Sequence, residues 1–254
     1  MTERPAHDED TTVEPAVQRQ IDRYRIERLL GGGGFGSVFA ARHVHTGQEV
    51  ALKLLKPELA LDETQLKRFE REARAAARIR HPNVVHIQDW GTLPKGGAFL
   101  VMERMHGRTL GAELDERGAL PIDEAVDIAA QLLDALDATH TAGVIHRDIK
   151  PSNVFLDERD GRCHVTLLDF GVSHLAATGS HTEPAPLTAP GTAIGSPGYM
   201  PPEQARGETV DERADLFAVC VLLYAMCAGT QPFVAESKAE RRRRKVAEAA
   251  GSLQ

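Results

Sequence analysis

The sequence predicts an α+β protein in two lobes, a small antiparallel-sheet lobe followed by a mainly helical one. Three observations predict it. Between Tyr24 and Lys56 the chain alternates runs of strand formers with short glycine-rich or polar turns. From Thr109 onward apolar residues recur at helical spacing. The longest apolar stretch, Leu216 to Ala228, is too short to span a membrane and reads as a buried helix.

The 254 residues suffice for two lobes with a real core, and the net charge of −7 argues against a general nucleic-acid binder. Three cysteines, Cys163, Cys220 and Cys227, are too few and too scattered for a disulfide frame or a zinc site. They point to a reducing compartment, so a cytoplasmic location is expected. The N-terminus is polar rather than signal-like, and no membrane segment is expected.

Residues 1–20 are acidic and poor in large apolar side chains, which predicts a disordered tail. The first lobe is assigned to residues 21–105. Its strands are YRIERLL, SVFAARHV and EVALKLL, then VVHIQDW and AFLVMER around a PKGG turn. A helix is expected from about Asp62 to Arg80, with Asp62 and Gln65 as a capping box and Leu66, Phe69, Ala73, Ala76 and Ala77 on one face. His81-Pro82 stops it.

The second lobe is assigned to residues 106–234. Ile122 to His140 predicts a helix with Val126, Ala129, Leu133, Leu136 and His140 on its apolar face. NVFL and HVTLLDF read as short strands, and Ala214 to Ala228 as the apolar helix. Between them, Gly171 to about Tyr199 is rich in Gly, Pro, Ser, Thr and Ala, and a loop that long is functional or disordered. Residues 235–254 read as a basic helical tail or a truncated helix, with Arg241 to Lys245 as a solvated face.

The glycines of LGGGGFGSVFAA raise the question of phosphate. A P-loop fails because Ser37 stands where its lysine must be. A dinucleotide fingerprint opens a helix, whereas Ser37 to Arg42 is strand-like. A hairpin flap over a nucleotide and an ordinary glycine-rich hairpin both remain.

Three further segments decide between them. VALK lies at Val50 to Lys53, VIHRDIKPSNVFL at Val144 to Leu156 and LLDFGV at Leu167 to Val172. In this order, with the glycine flap, they resemble the signature set of the eukaryotic-like serine/threonine protein kinases, and of their bacterial members in particular. The resemblance covers roughly Tyr24 to Phe233. It implies a protein-kinase-like two-lobed fold that transfers the γ-phosphate of ATP to Ser or Thr hydroxyls of protein substrates, with Mg²⁺ or Mn²⁺.

The resemblance also assigns roles. Gly31, Gly33 and Gly36 form the flap, and Val38 packs on the adenine. Lys53 holds the α- and β-phosphates and pairs with Glu72 on the helix; Glu70, two residues away, points to a different face. Asp148 takes the hydroxyl proton, Lys150 steadies the transferring phosphate, and Asn153 and Asp169 bind the metal. Met102 is the gatekeeper, Glu103 and Met105 offer backbone hydrogen bonds to adenine, and Leu30, Ala51, Val85 and Phe155 wall the pocket. His146 and Phe170 resemble structural residues rather than catalysts.

Arg147 precedes Asp148, and in the family such an arginine pairs with a phosphate on the activation loop. Thr178, Ser180, Thr182, Thr188 and Thr192 are the hydroxyls on offer, with Thr188 and Thr192 preferred as autophosphorylation sites and Ser196 structural. Self-association for autophosphorylation in trans follows from the same reading.

The match departs in places. Pro201-Pro202-Glu203 replaces A-P-E, and near the helix aspartate Asp215 the usual small residues become Ala218 and Cys220, the latter adding volume beside the catalytic loop. The family continues with three or more helices after the segment matching Gly229 to Phe233, including an arginine that pairs with the glutamate matching Glu203. A short lower lobe is therefore expected, with Glu203 unpartnered. It also keeps open an alternative, a nucleotide-binding but inactive kinase-fold scaffold. A small-molecule kinase is disfavoured by the long activation segment and the P-P-E motif.

Overall fold

Residues alternating between two faces build the first lobe. The computed structural model describes residues 20–33, 36–55, 63–93, 97–169 and 198–233, and excludes a few side chains of the first helix, that of Glu72 among them. Strands β1 (Gln20–Ile21), β2 (Tyr24–Gly33), β3 (Gly36–His43), β4 (Glu49–Leu55), β5 (Ile87–Thr92) and β6 (Ala98–Glu103) form one antiparallel sheet in the order β1-β2-β3-β4-β6-β5. Along β4 the period of two sends Val50 and Leu52 to a cluster with Tyr24, Phe99 and Val101. Ala51 and Leu55 go to the opposite face, where helix α1 (Glu63–Ala76) packs Phe69, Ala73 and Ala76. Lys53 lies between Ala51 and Leu55 in the alternation, so it shares their face.

The second lobe is built on helices. Thr109 caps α2 (Leu110–Arg117) by accepting from the Ala112 amide at 3.2 Å. Helix α3 (Ile122–Thr141) runs antiparallel to a later helix, α5 (Arg213–Ala228). Leu120 N donates to Met226 O at one end, 2.8 Å, and His140 meets Asp215 at the other, 2.8 Å. A three-stranded sheet, β7 (Arg108–Thr109), β8 (Val154–Arg159) and β9 (Arg162–Leu167), lies against α3. The short helix α4 (Pro202–Arg206) precedes α5 and ends at Gly207 in the left-handed region. The lobes are stitched where Val85 N donates to Leu167 O and Leu167 N to Asn83 O, at 3.0 and 2.8 Å. No described helix is long and apolar enough to cross a membrane.

Several expectations need correction. Helix α1 ends at Ala76 rather than near Arg80, because Arg78 and Ile79 switch to tighter bonds with Ala75 and Ala76 and Ile79 turns into the core. Val84 and Val85 are not part of β5: they bridge to Leu167 in the other lobe. On α3 the buried set is Ala125, Ile128, Ala129, Leu132, Ala135, Leu136 and Thr139, while Val126 and Leu133 are exposed. The helix packs on both α5 and β9, so it buries a wide arc centred one residue away from the expected stripe.

Cys220 is exposed, two residues and so roughly 200° round the helix from buried Ala218, and adds no volume beside the catalytic loop. Glu203 is only half-buried, in the first turn of α4. Arg213, whose guanidinium is held up chiefly by its hydrogen bonds with Asp211, also feels the Glu203 charge. The expected N-terminal tail, the Asp62 cap, Phe170, Ser196, the activation-loop hydroxyls with Thr188 and Thr192, and the tail 235–254 lie outside the described residues.

The α3 assignment is testable by paired truncations. Leu132→Ala, at a 0% exposed position, should cost about 2–5 kcal/mol in urea unfolding. Leu133→Ala, at 44% exposure, should stay within about 0.5 kcal/mol.

Candidate active site

Between the lobes lies a cleft of about 780 Å³. Its roof is the β2–β3 hairpin, which contributes Leu30, Gly31, Gly36 and Val38. Gly36 has no alternative: a Cβ there would collide with the Leu54 backbone carbonyl on the neighbouring strand. Ala51, Met102, Glu103 and Met105 form the inner wall, and Phe155 enters from the second lobe. Gly33 lies at the hairpin tip paired with Gly36. One expected residue is not brought in: Val85 is buried in the core, its amide bonded to Leu167 O. The Glu103 amide donates to His86 O at 3.1 Å, so only its carbonyl is left for a base. The Met105 carbonyl already accepts from Arg104 Nη1 at 2.8 Å.

The same cleft collects Lys53, Asp148, Lys150, Asn153 and Asp169 from separate segments of the chain. Lys53, 6% exposed, places Nζ 2.9 Å from Asp169 Oδ1. Burial alone would push the Asp169 carboxyl up, but the Lys53 ammonium outweighs it and holds the group below the usual carboxylate range. The side chain of Glu72, the expected lysine partner, is outside the described set. Asp148 Oδ2 accepts from Lys150 Nζ at 2.6 Å and from Asn153 Nδ2 at 3.2 Å. Asn153 Nδ2 also donates to Asp148 O at 2.8 Å, which turns the amide oxygen away from these partners.

A divalent cation fits this donor set. One carboxylate oxygen of Asp169 and the amide oxygen of Asn153 are hard ligands, and no cluster of three or more His, Cys, Asp or Glu occurs among the described residues. Two protein oxygens suit an ion that keeps waters and phosphate oxygens, rather than one caged by protein.

The loop carrying Asp148 is held from below. Asp215, 1% exposed, accepts from His146 N through Oδ2 and from Arg147 N through Oδ1, both at 2.8 Å. His140 Nε2 adds a third contact to Oδ2 at 2.8 Å. These bonds sustain Arg147 at φ 65°, a left-handed backbone that a non-glycine residue adopts only at a cost. Asp169 sits at φ 60°. His146 is wholly buried: Nε2 donates to Leu168 O at 2.7 Å and Nδ1 accepts from Asp148 N at 3.2 Å. Those partners assign the neutral tautomer with the proton on Nε2, which leaves His146 no lone pair for catalysis.

Arg147 presents a different situation. Gln204 Nε2 donates to its carbonyl at 2.9 Å, yet its own Nε is buried without a partner among the described residues. An orphaned guanidinium donor costs about 1–3 kcal/mol, and an anion would relieve it. It lies beside Asp148, Tyr199 and Gln204.

Sequence reasoning missed His140, which it placed on an apolar face, and Gly107. At φ 151° a Cβ on Gly107 would strike the Leu156 carbonyl, so the chain leaving the inner wall can pass β8 only as glycine. The one available signal was the isolated glycine of HGRT.

The chain matches the model of the protein kinase domain over residues 24–253. It is 42% identical over 216 residues to serine/threonine-protein kinase pkn3 of Myxococcus xanthus, covering 85% of this chain and 39% of that protein. A probable serine/threonine-protein kinase PknB of Corynebacterium glutamicum is 37% identical over 219 residues, covering 85% of this chain and 33% of the relative. The chain thus spans well under half the length of these curated relatives. Among solved structures, a mutant form of the kinase domain of Mycobacterium tuberculosis PknI superposes with a TM-score of 0.68 at 29% identity, covering 87% of this chain and 80% of that one.

Two substitutions test the site. Gly36→Ala must displace β3 from β4, so the affinity for ATP should fall about tenfold or more in calorimetric titration. Lys53→Met removes the strongest of the cations that oppose burial at Asp169 and leaves the weaker pull of Lys150, so its carboxyl should titrate higher than in the native chain by carboxyl-carbon NMR. In the native chain the depressed value stabilises the fold above the unfolded carboxylate value near ~4, and that contribution is lost as pH falls through the native value. In the variant that contribution shrinks.

Proposed function

Because the chain belongs to the protein kinase family, as a bacterial-type serine/threonine kinase domain, we propose that it transfers the γ-phosphate of ATP to Ser or Thr hydroxyls of proteins. The observation that carries this reading is the Asp148 carboxylate. Lys150 and Asn153 both hold its Oδ2, which among the described residues leaves Oδ1 for a substrate hydroxyl. Asp148 orients that hydroxyl and takes its proton. Lys150 Nζ, 2.6 Å away, supplies positive charge where the phosphoryl oxygens gather it. Lys53 holds the non-transferred phosphates, with Glu72 as a second partner beside Asp169. Asn153 and Asp169 would hold Mg²⁺ or Mn²⁺, which would supply charge neutralisation along the phosphate chain. The hairpin excludes water from above.

Regulation belongs to the same reading. The Nε of Arg147, buried without a partner among the described residues, supports capture of a phosphate, and Thr188 or Thr192 would carry it after autophosphorylation, in trans if two chains associate.

Transfer from labelled ATP with Mg²⁺, onto the chain itself and onto a pool of Ser/Thr peptides, tests the proposal. Label in the native chain, with kcat reduced about 10²- to 10⁴-fold in Asp148→Asn, is expected. ATP binding without any transfer would favour an inactive scaffold. Site mapping should find phosphate at Thr188 or Thr192, and Arg147→Gln should remove the activation that this phosphate brings. An active enzyme with both threonines bare would contradict the regulatory part.

A further inference from the structure

A second tie between the lobes runs through neutral amides, behind the cleft, and it reaches the strand that delivers Asp169. Gln131, half-buried on α3, uses all four hydrogen-bonding positions of its carboxamide. Oε1 accepts from Val165 N and from Asn83 Nδ2, both at 2.9 Å. Nε2 donates to Cys163 O at 3.1 Å and to Asp127 Oδ2 at 2.9 Å. Val165 N can only donate and Cys163 O can only accept, so the orientation of the carboxamide follows from its partners. Both residues lie on β9, the outer strand of its sheet, and Gln131 closes the edge that faces away from β8.

Asn83 carries the tie across. It is 7% exposed and belongs to the segment between α1 and β5. Its Nδ2 also donates to Val165 O at 2.7 Å, and its carbonyl accepts from Leu167 N at 2.8 Å. Val84 bridges to Leu167 in parallel, and Val85 N donates to Leu167 O at 3.0 Å. Leu167 is thus gripped by the segment that follows α1, two residues before Asp169. Between them Leu168 N donates to Asn153 O at 2.8 Å. Lys53 meets Asp169 itself at 2.9 Å. Two paths from the first lobe converge here, one through the sheet and one through Asn83. Phosphate transfer is sensitive to small displacements of the groups that align it.

We propose that Gln131, acting through Asn83, is a positioning residue for phosphate transfer: it clamps the segment after α1 to the strand that delivers Asp169, and so keeps Asp169 in register with Lys53 and Asn153. The proposal rests on the kinase reading above and adds to that machinery a residue outside the cleft.

Gln131→Met tests it. The variant keeps the length of the side chain, and the groove of about 600 Å³ that Gln131 lines with Asp127, Cys163 and His164 leaves room for it. Amide exchange should quicken about tenfold or more at Val165, Leu167 and Leu168, and stay native at His146 and Arg147, which Asp215 holds. Single-turnover transfer from ATP should slow about tenfold, with the affinity for ATP measured without metal within about twofold. Asn83→Ala should reproduce both effects, and the double variant should be no slower than Asn83→Ala alone. Loosened amides with a native transfer rate would make the clamp merely structural and overturn the proposal. Native exchange at Leu167 and Leu168 would overturn it as well, and so would losses that multiply in the double variant. These outcomes leave the kinase reading standing, whereas a native chain that transfers no phosphate would overturn both.

Discussion

The Asp215 carboxylate, buried at the start of α5, holds two consecutive backbone amides and one imidazole, and the position of Asp148 depends on it. A buried charge is tolerable only when its lone pairs are satisfied, and here three donors satisfy it. The amides belong to His146 and Arg147, so the anion fixes the chain one residue before Asp148. Charge-assisted bonds of this kind contribute about 1.5–3 kcal/mol each, enough to sustain the left-handed turn at Arg147, which costs about 1–3 kcal/mol. The apolar helix α5 is therefore a support: its packing on α3 sets where the catalytic loop begins.

From that anchor the site assembles by short steps. His146 passes the constraint to Leu168 through Nε2, one residue before Asp169. Leu168 N in turn donates to Asn153 O at 2.8 Å, tying the two metal-ligand candidates together. Lys53 then closes the cleft from the other lobe through its ion pair with Asp169. The carboxylates that would handle phosphate and proton are thus pre-oriented by cations and amides, which is how a site stabilises transferring charge without reorganising during the reaction.

Much of this was legible in the sequence because the chemistry demands residue types at fixed spacing. HRDIKPSN and LLDFG bring Asp148, Lys150, Asn153 and Asp169 into one cleft, and the β2–β3 hairpin follows from strand formers on both sides of the glycines. What stayed illegible was set by tertiary partners. Periodicity pointed to one stripe on α3 through Val126 and Leu133, whereas packing on both α5 and β9 buries Ile128 and Leu132 instead. Val84 and Val85 have the composition of a strand but are taken by Leu167 from the other lobe. His140 has no local signal, because its partner lies 75 residues away.

The most direct measurement is single-turnover phosphate transfer by Asp215→Asn, with ATP affinity measured in parallel. An amide in place of the carboxylate loses one acceptor and the charge, with little change in volume. The expected rate is about tenfold or more below that of the native chain, with ATP affinity within about twofold, because the loop is loosened and the nucleotide cleft is not. A native rate from Asp215→Asn would contradict this, and would mean that Asp148 is positioned by something other than the anion beneath it.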